Sequence, residues 1–278
     1  MVYRTVLAVA AAVALLATTG CGGSEAKQSK TNGIKGLLSA GKFKVCSDVE
    51  FPPLEFFENG TSGKPVGFDV ELAEAVAKEV GLEAEVRNVA FDGLLPALDA
   101  KRCDVVWSGL YVSPERTKTR HAVPYLRIGD GVLVPAGNPE KIQTPEDLSG
   151  KTVAVAAGTT AEKALKGLNE QFNKNGTTPM KITAYSKFTE EVAAVKSGKA
   201  DAMVEVDVSV GYIAKQQEGE LESLSDVFQP KNELGAYVRK GSPLASEIKD
   251  ALALLSKAGT TQKLAEKYGL ESSRIVAE

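Results

Sequence analysis

The stretch Gly109 to Arg116, read G-L-Y-V-S-P-E-R, is where residue types in this chain first suggest chemistry. An apolar run, Asp104-Val105-Val106-Trp107, leads into a glycine turn, after which Ser113-Pro114-Glu115 opens a helix. Serine at the N-cap and proline at the first helical position are common helix-start residues. Arg116 therefore falls in the first turn, beside backbone N–H groups that have no intrahelical partner. A cation there opposes the helix dipole and calls for a compensating group. Two kinds of group fit: an anion gripped by the guanidinium fork and the free N–H groups, or a nearby carboxylate in an ion pair.

The elements that must carry this turn alternate between strand and helix almost throughout, which predicts an α/β fold with parallel sheets. Strands are expected over 42–47, 82–89 and 103–108. A helix over 69–80 carries Leu72, Val76 and Val80 on one stripe and stops at Gly81. Asp92 is read as the cap of a short helix ending near Leu98. A second block follows, with strands over 151–156, 181–185 and 201–206. Its helices begin at Thr144-Pro145, after Gly158-Thr159-Thr160, and at Thr189. A last strand, 234–239, precedes two helices capped at Ser242-Pro243 and Thr260. The two blocks share a phrase, Leu98-Asp-Ala-Lys-Arg-Cys-Asp104 against Val195-Lys-Ser-Gly-Lys-Ala-Asp201. In each, a helix ends in a basic turn and an aspartate begins a buried strand, which hints at two lobes of like construction.

With 278 residues, the chain has room for one large domain or two ordinary lobes. A net charge of −3 and the lack of a basic cluster argue against a nucleic-acid partner. The N-terminus stands apart: Arg4 precedes an apolar run, Val6 to Ala17, too short to span a bilayer but right for a signal-peptide core. Residues 1–20 are read as that signal peptide. Ala17-Thr18-Thr19-Gly20-Cys21 resembles a bacterial lipoprotein cleavage box, with Thr18 where leucine is commoner. That resemblance implies lipidation of Cys21, a membrane attachment through it, and a flexible tether over 21–36. An ordinary signal peptide with an incidental Cys21 is the alternative. Cys46 and Cys103 are expected in neighbouring parallel strands, whose offset favours buried free thiols, with a disulfide between them as the alternative.

Several phrases together are similar to the polar amino-acid class of ABC-importer solute-binding proteins (bacterial family 3). They are Ser47-Asp48 through Phe51-Pro52-Pro53-Leu54-Glu55-Phe56, Gly67-Phe68-Asp69-Val70-Glu71-Leu72, Phe91-Asp92-Gly93-Leu94-Leu95-Pro96-Ala97-Leu98, Pro114-Glu115-Arg116 and Gly158-Thr159-Thr160-Ala161-Glu162. They fall in the family's order and cover residues 43 to 268. The resemblance implies a two-lobed periplasmic-binding-protein-like fold (type II), each lobe a mostly parallel sheet flanked by helices, closing over a ligand about two hinge crossovers. Lobe 1 would take 37–126 plus 237–278 and lobe 2 would take 130–232, with hinges near 126–130 and 233–237.

The same resemblance assigns the site. Arg116 would clamp an amino acid's carboxylate, helped by backbone N–H groups of Tyr111 and Thr160. The ammonium would meet the Gly109 carbonyl and a carboxylate at the end of the strand Asp201 to Asp207. The family's aspartate is replaced here by Val206, so either Glu205 or Asp207 must substitute; the shorter side chain favours Asp207. Phe51 and Phe91 would be aromatic walls, otherwise core. Asp48 would meet the ligand's side chain, favouring a cation or an amide, or else would cap a neighbouring helix. Tyr111 stands where serine or threonine is usual, which puts the ligand's size in question. Trp107 reads as core and His121 as surface. The expected protein is therefore a monomeric, exported amino-acid binder that delivers to an ABC permease, with no cofactor and no metal. The alternatives are an enzyme on the same fold, such as a cyclic-acid dehydratase, and a sensory ligand-binding protein. An enzyme would need an acid or base in the cleft, and neither a metal-ligand cluster nor a nucleophile elbow is visible.

Overall fold

The computed structural model of the chain describes residues 34–228 and 232–276. The signal segment, Cys21 and the tether up to residue 33 lie outside the described residues. Ile34 and Leu37 already pack, partly buried, against the first core.

The first block begins with β1 (Lys42–Ser47) and a small meander of β2 (Glu50–Phe51), β3 (Glu55–Phe57) and β4 (Pro65–Val66). Then come α1 (Phe68–Glu79), β5 (Glu83–Asn88), α2 (Leu94–Asp99), β6 (Val105–Val106), α3 (Pro114–Thr119) and β7 (Arg120–Ile128). The second block runs β8 (Asp130–Pro135), β9 (Thr152–Ala156), α4 (Thr160–Lys174), β10 (Lys181–Tyr185), α5 (Phe188–Lys196), β11 (Ala202–Val206), α6 (Asp207–Gln216) and β12 (Leu221–Leu224). The chain returns through β13 (Asn232–Arg239) and finishes with α7 (Leu244–Lys257) and α8 (Thr260–Lys267).

Two five-stranded sheets result, ordered β5-β1-β6-β13-β7 and β10-β9-β11-β8-β12. In each, four strands point one way and one runs against them: β13 in the first, β8 in the second. That odd strand is in each case the one arriving from the other sheet. Only Gly129 separates β7 from β8, and the return crossing lies between Leu224 and Asn232. The fold is the two-lobed type II arrangement with hinge crossovers. α1, α2 and α7 pack on the first sheet, with α8 against α1 and α7, and α4, α5 and α6 pack on the second.

The repeated phrase marks equivalent places in the two lobes. The Asp104 N–H donates to the Lys44 carbonyl at 2.8 Å and its carboxylate accepts the Lys44 N–H at 2.9 Å. Asp201 does the same with Thr152, at 2.8 and 2.7 Å. In both lobes the aspartate locks the third strand of the series to the first.

Three local expectations are corrected. Asp92 sits inside a 3-10 turn, Phe91–Gly93, rather than capping α2. Gly259, at φ 74°, occupies the cap before α8, and Thr260 is already helical. Cys46 and Cys103 are bridged, with Cα atoms 5.8 Å apart. The register pairs Cys46 with Val106, which in a regular strand leaves Cys103 roughly 10 Å away and on the other face. The strand is shorter than expected, however. The bend at Asp104 turns Cys103 under α2, into the same small core as Cys46, Leu94 and Leu98.

Gly67 sets how closely α1 meets the loop after β2. At φ 124°, a Cβ on it would lie 2.2 Å from the Leu54 carbonyl oxygen. Only glycine allows that approach. The first N–H groups of α1 are thereby satisfied from Pro53 and Leu54, at 3.0 and 2.8 Å. Asp69, in that first turn, is carried toward the cleft.

Candidate ligand-binding cleft

Strands β1, β6, β9 and β11 all release their C-terminal ends into one cleft between the lobes, the usual place for a ligand in open α/β sheets. Of the residues named from sequence, Asp48, Phe51, Phe91, Gly109, Tyr111, Arg116, Thr160 and Glu205 line it; Asp207 does not.

Arg116 is held by the turn that carries it. Residues 110–112 hydrogen-bond to β13: Gly235 N–H to Leu110 O and Val112 N–H to Glu233 O, at 2.9 and 2.8 Å. Ser113 caps α3, accepting the Arg116 N–H at 3.3 Å, with Pro114 following as expected. The guanidinium donates to the Tyr111 carbonyl at 3.0 Å, which also accepts the Tyr237 hydroxyl at 2.7 Å. The guanidinium carbon lies 6.0 Å from the centre of the Phe91 ring. Burial lowers the Arg116 pKa, but from so high a value that the cation persists. The guanidinium lines the cleft, where it can meet an anion.

Across from it stands the start of α4. Thr159 is the N-cap, accepting the Glu162 N–H at 3.1 Å and donating to Ala156 O at 2.9 Å. Thr160 occupies the first helical position, where backbone N–H groups have no partner within the helix. One guanidinium and one helix N-terminus thus meet at the same space from opposite lobes.

The aromatic wall spans the cleft. The Phe51 ring meets Phe188 of α5 edge-on, with centroids 5.0 Å apart. The Glu115–Lys163 ion pair joins the lobes at the rim. Tyr111 points toward the crossover, its hydroxyl donating to Asp130 at 2.6 Å. Trp107 is fully buried in the core, and His121 is exposed on β7.

Six carboxylic side chains line the cleft against one guanidinium. Asp48 faces the cleft beside the backbone of Phe91. Burial first, and then the Glu50 charge, push its pKa up to about 7. Glu205, 4% exposed, accepts only from backbone: Ala156 N–H at 3.2 Å and Val206 N–H at 3.3 Å. Burial pushes its pKa up to about 7. Asp207 instead turns to Arg274, at 2.8 Å.

Behind the lobe-1 wall runs a network that sequence reasoning missed. The Asp48 N–H donates to Ser108 Oγ, which donates to Glu55 Oε1, both at 2.8 Å. The Glu55 carboxyl lies near enough to act on Asp69, which accepts the Tyr125 hydroxyl and, at 2.9 Å, the Gly109 N–H. Burial pushes the Asp69 pKa to about 7, and burial plus the Asp69 charge push Glu55 well up. Burial thus favours the protonated form of both carboxyls, and their bonds to Ser108 and to the Gly109 N–H tie the Asp48 and Gly109 loops together. Glu191 and Phe188, both lining the cleft from α5, were missed too. The available signal was Glu191 falling on the buried stripe of α5, with Phe188 and Ala194.

Among the described residues no His, Cys, Asp and Glu cluster could hold a metal, and no helix is long and apolar enough to cross a membrane. Residues 43–271 match the sequence profile of the bacterial extracellular solute-binding proteins, family 3. The chain is 33% identical over 240 residues to the L-cystine-binding protein TcyJ of Escherichia coli K12, covering 84% of this chain and 86% of that protein. It is 29% identical to the arginine-binding extracellular protein ArtP of Bacillus subtilis, over 95% and 97% of the two chains. Among solved structures, an ancestral arginine-binding protein bound to glutamine superposes with a TM-score of 0.74 at 34% identity, covering 83% of this chain and 98% of the other. Each of these relatives is named for the amino acid it binds. The chain belongs to the bacterial extracellular solute-binding proteins, family 3, as an extracytoplasmic amino-acid-binding component of an ABC transporter.

Proposed function

We propose that the ligand is a basic or amide amino acid, held between the lobes with its carboxylate on Arg116. The observation that carries this reading is the pairing of one guanidinium and one helix N-terminus with six carboxylic side chains in a single cleft. The anion of a zwitterion goes to the first two, assisted by backbone at Tyr111 and Thr160. Its ammonium goes to the Gly109 carbonyl and Glu205, which lines the cleft, whereas Asp207 is committed to Arg274. The side chain extends along Phe51 and Phe91 toward Asp48. An acidic ligand is repelled there and desolvates an extra charge. The names of the arginine- and cystine-binding relatives support a ligand with more than one polar end.

A thermal-shift screen over the twenty amino acids plus ornithine, citrulline and cystine tests this. At a hundredfold excess over Kd a cognate ligand adds about 2.7 kcal/mol, or roughly 5–10 °C for a chain of this size. Shifts from acidic or purely aliphatic amino acids alone would overturn the assignment.

The protein is attached to the outer face of the membrane by lipid on Cys21, a reading supported by the small residues that precede that cysteine. Cell fractionation should place the wild type with membranes and release Cys21→Ser; a wild-type protein that is soluble after export would end this reading.

A further inference from the structure

Glu191 is a carboxylate that the proposed ligand contacts leave unused. It lies on the buried stripe of α5 between Phe188 and Ala194, at a position where the helix period calls for an apolar residue. It is fully buried, it lines the cleft, and neither of its oxygens has a hydrogen-bond partner. A carboxylate kept dry and unpartnered is among the costliest groups a core can hold. An apolar residue would serve packing better, so its presence asks for a partner that arrives from outside. Glu205 on β11 is near enough for its charge to act on Glu191, and it too lacks a cationic partner.

The surrounding charges offer no relief. Glu190 on α5 adds like charge. Asp130 at the start of β8 acts on Glu205 and is bonded to Tyr111. Glu50 on β2 is acidic and faces Asp48, toward which Lys187 also acts. Asp207 pairs with Arg274, and Arg116 is on the opposite lobe, bonded to the Tyr111 carbonyl.

We propose that Glu191 is a second acceptor for the ligand's ammonium group, paired with Glu205, and that amino-acid capture releases a proton which these two carboxyls share. The inference rests on the amino-acid reading above. A carboxyl O–H bond breaks, its proton passes to solvent, and the freed carboxylate accepts an ammonium N–H in its place. Burial, with the Glu205 charge, pushes Glu191 well up, and burial pushes Glu205 to about 7, so the pair is protonated before binding near neutral pH. An ammonium favours the ionised form and lowers these values. Affinity therefore rises with pH until the pair has ionised and levels off above that range.

Calorimetric titration of the full chain with L-arginine, L-lysine, L-glutamine and L-cystine, in phosphate and in Tris at pH 6.5, reads the proton directly. The expected result is a binding enthalpy that differs between the buffers and a Kd that falls about tenfold per pH unit between 5.5 and 6.5. Glu191→Gln lowers the proton release and makes the pH dependence shallower, Glu205 still titrating, while the protein still folds, because the amide matches the neutral carboxyl in size and shape. The variant also separates Glu191 from Asp48, whose carboxyl remains free to titrate against a basic ligand. Buffer-independent heats in the wild type, or unchanged proton release in Glu191→Gln, would overturn the proposal and leave amino-acid binding intact. Absence of binding by any amino acid, here and in the screen, would remove both.

Discussion

Arg116→Ala is expected to abolish measurable amino-acid binding at micromolar concentrations while leaving the thermal midpoint of the unliganded protein within a few degrees of wild type. The guanidinium donates to the Tyr111 carbonyl and lies beside the Tyr237 hydroxyl, and that carbonyl keeps a second donor in Tyr237. The fold therefore loses little. The ligand loses the only cation that lines the cleft among the described residues and leaves a carboxylate among acidic neighbours. Truncating one partner of a desolvated, hydrogen-bonded charge pair costs about 2–5 kcal/mol, which is tens- to thousands-fold in Kd. Arg116→Lys should recover only part of this, since an ammonium lacks the fork that engages both carboxylate oxygens. Calorimetry giving Arg116→Ala a wild-type Kd would move the carboxylate elsewhere and undo the proposed pose.

The second large effect concerns the Cys46–Cys103 bridge. The cysteines are 57 residues apart in sequence, and closing a loop of that length removes enough unfolded-chain entropy to stabilise the fold by about 4 kcal/mol. Cys46→Ala combined with Cys103→Ala should lower the thermal midpoint by roughly 8–16 °C. Ligand affinity should change less than tenfold below that midpoint. Both cysteines lie just upstream of cleft loops, yet those loops are also tied by Asp104 to β1 and by the Glu55–Asp69 network. Denaturant unfolding that shows wild-type stability in the double variant, or in the reduced protein, would exclude a structural role for the bridge.

The legible parts of this protein are those written at short range. The Arg116 turn could be read because an N-cap serine, an N1 proline and a first-turn cation lie within four residues. The shared phrase at Asp104 and Asp201 was readable for the same reason, and the structure gives both aspartates the same pair of bonds. Strand and helix order followed from apolar period, with β1 and β10 falling at the expected residues. The helix after β11 went unread, since α6 begins directly at the strand end without a cap of its own.

Carboxylates were the harder problem. Glu205 and Asp207 are two residues apart, and in a continuing strand both would face the same way. The chain instead turns from β11 into α6 at Val206, so Glu205 stays in the cleft floor while Asp207 swings to Arg274. Nothing within the strand could announce that an arginine 67 residues later would claim it. Cys103 was misjudged for a related reason: alternation assumes a regular strand, and the bend is imposed by the bonds Asp104 makes to Lys44 and Leu38.

The sequence by itself determined the alternation of strand and helix, most of the elements in order and the cation poised at a helix start, because these depend on residues a few positions apart. Tertiary structure alone decided which acidic groups share the cleft, which are neutralised elsewhere and which thiols meet. Burial and charge pairing are sums over neighbours that only the folded chain brings together.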